Sequence, residues 1–346
     1  MKLWGKEWTR QEIMEYVGSI TQIGGTRAFE MSDGWERGNR CLEVRNGDGL
    51  SFHVSLDRGL DISQAEYKGI PLAWRSPNGD VAPPYYNAEG SAWLRGFPGG
   101  LFVTGGLTYF GSVCEDEGVT LGLHGRISNS PASKVWVEEE WIQNDYMIKI
   151  RGEVRESTLY GENLKLIREI RIMMGEPNIH IKDVVVNEGF HPSPHMMLYH
   201  FNLGFPLISE HSRIEVKAAD SKVILDTEKK GLEQWDTFGI PNAHYNDQII
   251  CHFPETNESG WGECAVINPD LLEGKGLRVK IKFCLDQLPY LYNWKVCSRG
   301  VYLLGVEPAN CLGINGRKEA RENGTLRILQ PGESVTYEVV LCMEEK

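Results

Sequence analysis

The sequence lacks the patterns that mark several common classes of protein. None of its eight cysteines forms a CxxC pair, which excludes a zinc ribbon and a thioredoxin-like redox site. No apolar run is long enough for a signal peptide or a bilayer-spanning helix, so we expect a protein of the reducing cytoplasm. Basic residues are outnumbered and scattered, and the net charge of −12 argues against nucleic acid and membranes as partners.

Signatures of covalent and metal catalysis are also missing. There is no GxSxG elbow, and no cysteine lies in a catalytic setting, so nucleophilic catalysis has no candidate residue. A metal site needs three converging ligands, and His124, His200 and Glu307 could in principle converge. Because the chain has no short ligand spacing such as HxH or HExxH, we expect neither a metal nor another cofactor.

What the sequence does contain is a long series of short segments with period-two alternation. Before them, residues 8–18 predict a helix, because Thr9 and Glu12 have the spacing of a capping box and apolar residues fall on one side. No internal repeat, long helical run or break in composition follows. We therefore predict an all-β fold, in which a helical segment over residues 1–24 precedes one large, mostly antiparallel β-sandwich over residues 25–346. The predicted strands include residues 40–45, 51–56, 60–67, 134–141, 146–153, 164–173, 178–186, 194–206, 213–216, 263–267, 277–285, 301–306 and 335–342.

Residues 76–118 differ from the rest of the chain. They are rich in glycine, proline and aromatic residues, so they cannot form a regular strand throughout. A linker would not carry so many large apolar side chains. We expect an ordered loop that folds over a site.

Four places combine polar side chains with local structure that could hold them. His200 lies in a strand with apolar residues on both faces, and Asn202 is on the same face of that strand. Glu307 is predicted at the end of an apolar strand, where Pro308 stops the pairing. The segments WLRGFPGG and LGLHGR supply Arg95, His124 and Arg126. Each residue also has an alternative: a satisfied core histidine, a surface strand terminus, or an arginine packed on an aromatic ring. A histidine with a glutamate is nevertheless suited to general acid–base chemistry near neutral pH.

Taken in this order, the motifs resemble the aldose 1-epimerase (galactose mutarotase) superfamily, in particular its uncharacterised bacterial branch. LYHFNLG resembles the motif around the general-acid histidine of that family, and GVEPAN resembles the strand end that carries its general-base glutamate. WLRGFPGGLFVTGGLTYFG followed by LHGR is similar to the arginine-glycine-proline loop and His-Gly motif of the hexose-phosphate mutarotase branch. GTLRILQPGESVTYEVVL resembles the usual last turn and strand. The resemblance implies a galactose mutarotase-like β-supersandwich, no metal, and a small-molecule carbohydrate as ligand.

The resemblance also implies roles for individual residues. His200 would be the general acid and Glu307 the general base, while His124 would bond the ring oxygen or a neighbouring hydroxyl. The family's substrate-binding aspartate could be Asp220, Asp236 or Asp247. The residues expected to bind substrate are Arg95, Arg126, Asn202, Lys295, Asn310 and Arg317.

The function implied is that of an isomerase, a carbohydrate epimerase acting at the anomeric carbon. Two alternatives stay open: a non-catalytic sugar-binding or regulatory protein, and an acid–base sugar lyase or isomerase. Lys295, Arg317 and Arg321 lie near Glu307 in sequence and favour an anionic sugar, because a charged substituent compensates the desolvation of cations. These cations could instead pair with acids such as Glu319 and Glu322. A homodimer is also left open.

Overall fold

The computed structural model describes residues 1–256 and 259–346. Two short α-helices occur in this part of the chain, α1 (Arg10–Met14) and α2 (Arg317–Glu322). The predicted capping box is present at α1, since the Thr9 side chain accepts from the Glu12 amide and the Glu12 carboxylate accepts from the Thr9 amide. The helix is shorter than predicted and ends at Met14, because Ile13 is its one buried residue and little packing extends it.

Strands form most of the chain. The strands of the first half are β1 (Lys2–Leu3), β2 (Lys6–Glu7), β3 (Gly25–Glu30), β4 (Arg40–Arg45), β5 (Leu50–Ser55), β6 (Asp61–Tyr67), β7 (Ile70–Pro71), β8 (Phe102–Leu107), β9 (Cys114–Asp116), β10 (Val119–Leu121), β11 (Ser133–Ile142), β12 (Asp145–Ser157) and β13 (Asn163–Met173). Those of the second half are β14 (Asn178–Asn187), β15 (Ser193–Gly204), β16 (Arg213–Val216), β17 (Ala218–Asp226), β18 (Gln248–Pro254), β19 (Trp261–Asn268), β20 (Leu277–Cys284), β21 (Tyr290–Ser298), β22 (Val301–Ala309), β23 (Arg327–Leu329) and β24 (Ser334–Glu345).

Two large antiparallel sheets contain these strands except β1, β2, β9 and β10, which form two separate two-stranded sheets. The smaller has the order β11-β12-β13-β14-β24-β20-β19-β16. The larger has the order β17-β18-β21-β22-β15-β8-β6-β5-β4-β3, with β7 and β23 paired at its side. The predicted all-β, mostly antiparallel sandwich is confirmed. β15, the strand that contains His200, crosses the middle of the larger sheet between β22 and β8.

The main core lies between the two sheets and also contains buried charge. Phe102 and Tyr199 of the larger sheet belong to the same buried cluster as Ile170 of the smaller sheet. Within that cluster Arg168 is buried and binds the carboxylates of both Asp61 and Asp183. One face of the larger sheet therefore packs against the smaller sheet. The opposite face is where the candidate site lies.

One predicted strand boundary is wrong. β22 runs on to Ala309, so Glu307 lies inside the strand and Pro308 does not end the pairing. A proline removes one backbone donor but keeps its carbonyl, and strands on both sides hold this segment in place.

No helix of the described residues is long and apolar enough to cross a membrane.

Candidate active site

Neighbouring strands bring His200 and Glu307 together. The register that pairs Phe201 of β15 with Val306 of β22 sets His200 directly opposite Glu307. Their side chains leave the sheet on the same face, and His200 Nε2 lies 3.3 Å from Glu307 Oε1. Both residues are almost fully buried, with 4% and 2% of their surface exposed. An imidazole and a carboxylate thus contact each other away from bulk water.

His124 reaches the same place from a turn. Its backbone has a φ of 53°, which is uncommon for a residue with a side chain. Hydrogen bonds on both sides hold this turn, because the His124 amide donates to the Gly111 carbonyl and the His124 carbonyl accepts from Gly106. The His124 ring lies edge-on to the His200 ring, with their centroids 5.6 Å apart. The three residues predicted to be catalytic therefore lie side by side, although their roles remain predictions.

Aromatic side chains enclose the two histidines. Phe97 and Trp294 contact the His200 ring, each with a centroid distance of 5.7 Å. Trp93 packs on His124 at 4.9 Å and stacks on Phe97 at 4.6 Å. Trp93 and Phe97 belong to the stretch that was expected to fold over a site. We call residues 82–97 the cover, since they place these two rings over the histidines.

Gly305 provides room for the arrangement. It lies opposite Trp294 in the neighbouring strand β21. A Cβ atom at this position would lie 2.5 Å from Glu307 Oε1 and 3.1 Å from Trp294 Cβ. A side chain would therefore displace either the carboxylate or the indole, and only glycine allows both to approach the backbone so closely.

Several buried polar atoms of the site have no hydrogen-bond partner among the described residues. They are Nδ1 of His200, Nδ1 of His124 and Nε1 of Trp93. Buried donors and acceptors are almost always paired in folded proteins, and those left open often belong to functional sites. Together they could bond a ligand that carries several hydroxyl groups.

Burial shifts the protonation of the acid–base pair. It raises the pKa of Glu307 to about 8, and the negative charge of Asp247 adds to this effect. Burial lowers the pKa of His200 well below its ordinary value, and the neighbouring His124 adds to it. Burial also lowers the pKa of His124 to about 4. At neutral pH the carboxyl of Glu307 is thus largely protonated while both imidazoles are neutral.

Asp247 is the one of the three candidate aspartates that the structure places beside this pair. Its Oδ1 accepts from Trp294 Nε1 at 2.5 Å, and its Oδ2 accepts from the Tyr245 hydroxyl at 3.0 Å. Burial raises the pKa of this carboxyl. The sequence offered no signal to choose Asp247, because it lies in a polar and irregular stretch. Trp294 was missed as well, since β21 was not predicted.

Three of the predicted substrate-binding residues have contrasting positions. Arg95 is exposed at the end of the short 3₁₀ helix that contains Trp93, at the rim of the cover. Asn202 is buried, and its amide donates to the carbonyls of Gly100 and His200. Both polar atoms of the Asn310 side chain already have partners, since its oxygen accepts from the Met197 amide and its nitrogen donates to the Tyr337 hydroxyl. Of these three, Arg95 has the side chain that is free to meet a ligand from solvent.

The cations expected near Glu307 contact other groups in the structure. Lys295 follows Trp294 in β21 and so lies on the opposite face, where its ammonium donates to the carbonyls of Gln234, Trp235 and Thr237. Arg317 and Arg321 both bind the carboxylate of Asp116. Arg126 lies 3.5 Å from Glu162 and, like Arg317, lines a separate cavity of about 480 Å³. Lys295, Arg317 and Arg321 thus contact other groups in the structure, because strand register and local acids decide where these side chains point, and their binding of substrate stays a prediction.

The described residues also contain no group of three or more histidine, cysteine, aspartate or glutamate side chains arranged to hold a metal ion. His124 contributes its ring from the side of His200, and Glu307 contacts His200 directly. The chemistry of this donor set is that of proton transfer.

Comparison with known proteins identifies the family and the fold. The model of a domain of unknown function, DUF4432, matches residues 36–343. No curated protein matches the sequence. A Klebsiella pneumoniae subsp. pneumoniae protein, assigned provisionally as an aldose 1-epimerase, has a TM-score of 0.85 and 25% identity, with 98% of this chain and 91% of that chain covered.

More distant structures share the architecture. A galactose mutarotase-like protein from Clostridium acetobutylicum has a TM-score of 0.62 and 13% identity, covering 94% of this chain and 100% of its own. A galactose 1-epimerase from Lactobacillus acidophilus NCFM has a TM-score of 0.57 and 14% identity, with 93% of this chain and 99% of that chain covered. The predicted resemblance and the galactose mutarotase-like fold are thereby confirmed.

Proposed function

The chain belongs to the DUF4432 family, and we propose that it is a carbohydrate epimerase that interconverts the anomers of a sugar by acid–base opening of the ring. The observation that carries the proposal is the buried contact of 3.3 Å between His200 and Glu307. The provisional assignment of the Klebsiella structure to aldose 1-epimerase supports the same reaction class.

The pair holds the one proton that this reaction needs. In the free protein that proton lies on Glu307, whose pKa is raised to about 8 by burial, while the imidazole of His200 is neutral. The working form has a carboxylate as base and an imidazolium as acid. Transfer of the proton across the existing contact produces this form without changing the net charge of the buried site. Sugar hydroxyls that bond the carboxylate would favour the transfer.

The proposed reaction proceeds by ring opening and reclosure. Glu307 takes the proton of the C1 hydroxyl while His200 protonates the ring oxygen, so the bond between C1 and the ring oxygen breaks and the free aldehyde forms. Rotation about the C1–C2 bond, followed by the reverse proton transfers, gives the other anomer. Since the protons taken and given balance, the cycle needs no cofactor. His124 would bond the ring oxygen or a neighbouring hydroxyl, and Trp93 and Phe97 would cover the apolar face of the sugar.

The sugar must enter between the acid and the base. These groups contact each other in the free protein, so binding has to separate the carboxyl of Glu307 from the imidazole of His200. Asp247 lies on the same side as Trp294 and could accept a hydroxyl once the site opens. Arg95 would bind an anionic substituent of the sugar, if the sugar carries one. The other proposed cations, Arg126, Arg317 and Lys295, contact other groups of the protein.

Anomer exchange followed by NMR tests the proposal. The purified protein is added to a panel of freshly dissolved neutral aldoses, uronic acids and phosphorylated sugars. We expect one class to reach anomeric equilibrium faster with the protein than without it, and Glu307→Gln and His200→Asn to lose this acceleration by about 100-fold or more.

A matched control is His252→Asn. His252 is a buried histidine of the same sheet, but it bonds Ser221 and lies on β18, two strands from β22. We expect this variant to retain the activity. A protein that binds a sugar tightly but leaves anomer exchange at the uncatalysed rate would contradict the proposal and support a sugar-binding protein instead.

A further inference from the structure

A buried arginine outside the site holds both ends of the cover. Arg58 lies in the turn between β5 and β6, and only 3% of its surface is exposed. Its Nη1 donates to the carbonyl of Val81 at 2.5 Å, and its Nη2 donates to the carbonyl of Gly96 at 2.9 Å. One guanidinium therefore connects the two ends of the cover, at Val81 just before its first residue and at Gly96 next to its last residue.

The two bonded carbonyls are close to the rings that contact the histidines. Gly96 lies between Trp93, which packs on His124, and Phe97, which packs on His200. Val81 directly precedes the first residue of the cover. Arg58 is thus one of the groups that fix the positions of Trp93 and Phe97, together with Ser76 and Asn78, which donate to the Phe97 carbonyl.

Two further contacts of the cover lead to the turn that holds His124. The Leu123 amide donates to the Gly90 carbonyl at 3.0 Å, and the Tyr86 hydroxyl donates to the Gly125 carbonyl at 3.0 Å. A displacement of the cover would therefore also move His124. Arg58 supports two sides of the site without contacting either histidine.

Burial of this charge is expensive for the fold. The carboxylates that act on it, Asp80 and Asp61, are each bound by another arginine, namely Arg75 and Arg168. A buried cation without a close carboxylate of its own loses hydration that its hydrogen bonds only partly replace. An apolar side chain of similar length would avoid that loss but could not join two carbonyls, whereas the planar guanidinium holds both in a fixed geometry.

We infer that Arg58 is a positioning residue, which aligns the aromatic cover and the His124 turn over the His200–Glu307 pair. This inference rests on the proposed function for its effect on catalysis, but the restraint on residues 82–97 is independent of the activity. Arg58 acts at the two ends of the cover and makes no contact with the sugar.

Hydrogen exchange and kinetics of two variants test this role. In Arg58→Met we expect amides of residues 82–97 to exchange about tenfold faster, while exchange in β13 and β14 is unchanged. We expect KM for the sugar found by anomer exchange to rise about tenfold, with a smaller change in kcat, because the rings that would cover the sugar are displaced. Arg58→Lys keeps the charge but can reach one carbonyl at a time, so it should not restore either value.

Arg40→Met is the matched control. Arg40 also donates to a backbone carbonyl, that of Ala132, and binds Asp57, but it does not contact the cover. Arg40→Met should leave both the hydrogen exchange of residues 82–97 and the KM for the sugar unchanged. A folded Arg58→Met with wild-type exchange in residues 82–97 would overturn the inference, as would complete rescue by Arg58→Lys. If Arg58→Met does not fold, the hydrogen-exchange rates of residues 82–97 in Arg58→Lys decide whether the inference holds. If the protein does not catalyse anomer exchange, the proposed function fails, while the hydrogen-exchange rates still test the restraint on residues 82–97.

Discussion

Glu307 is a carboxyl group that its surroundings keep protonated at neutral pH. It is buried on the face of β22 that carries the site, next to a neutral imidazole, and burial raises its pKa to about 8. In the unfolded chain the same group ionises near its ordinary pKa. The folded state therefore binds more protons than the unfolded state between these two values, and the free energy of unfolding falls as the pH rises through this range.

Glu307→Gln should remove this dependence. A neutral amide of the same shape has no ionisation to suppress, and each pKa unit corresponds to about 1.4 kcal/mol. We expect the variant to be more stable than the wild type by about 2 kcal/mol or more near pH 8, and by much less near pH 5. Urea denaturation at the two pH values measures the difference. A stability gap that does not grow with pH would show that the carboxyl is not protonated in the fold.

At the scale of the strand, β22 supplies the base and also the space that the base needs. Gly305 and Glu307 are two residues apart and lie on the same face. The close approach of Glu307 Oε1 to Gly305 leaves no room for a methyl group. The flexible end of the Glu307 side chain can move at little cost to the fold. A substitution of Gly305 should therefore shift the Glu307 carboxyl and have little effect on the stability of the protein.

Gly305→Ala tests this point. We expect the Glu307 carboxyl to turn away from His200, kcat/KM for anomer exchange to fall by about 100-fold, and the melting temperature to change little. Gly239→Ala is the control, because a Cβ there meets nothing within 4 Å. Wild-type kinetics in Gly305→Ala would mean that the observed contact between Glu307 and His200 is not needed for the reaction.

The strand pattern explains how much of the site the sequence could predict. His200 and Glu307 stood out because each interrupts a long apolar segment, and the motif around His124 supported them. Lys295 points away from His200 because one step along a strand reverses the direction of a side chain, and it is the neighbouring Trp294 that contacts His200. The proposed role of Arg58 could not be predicted from the sequence, because it depends on two backbone carbonyl groups that no sequence pattern reveals.

At the scale of the whole molecule, the sandwich is joined by a buried ionic network as well as by apolar packing. Arg168 of β13 reaches across from the smaller sheet and binds Asp61 of the larger sheet, while it also binds Asp183 beside it. Tyr199 of β15 donates to the same Asp183 at 2.7 Å. The strand that contains His200 is thus fixed to the opposite sheet. The alternation in β13 and β14 places Arg168 and Asp183 on the same faces as the buried Ile170 and Ile181, but no sequence pattern reveals which groups they bind.

Arg168→Ala should be strongly destabilising. It leaves two buried carboxylates without their cation, and breaking a buried pair in this way costs about 3–5 kcal/mol. Chemical denaturation measures the loss. Arg171→Ala, on the same strand but exposed, should change the free energy of unfolding by less than about 0.5 kcal/mol. Equal effects of the two substitutions would refute a structural role for the network.

The pH profile of anomer exchange by the wild-type protein tests the central claim most directly. The acid–base pair must hold one proton, and it loses that proton as the pH rises through the pKa of Glu307, about 8. We predict that kcat/KM is constant between about pH 6 and 7.5 and falls by about tenfold per unit well above pH 8. A rate that keeps rising through pH 9 would contradict the account, because it would show that the reaction does not need the proton shared by His200 and Glu307.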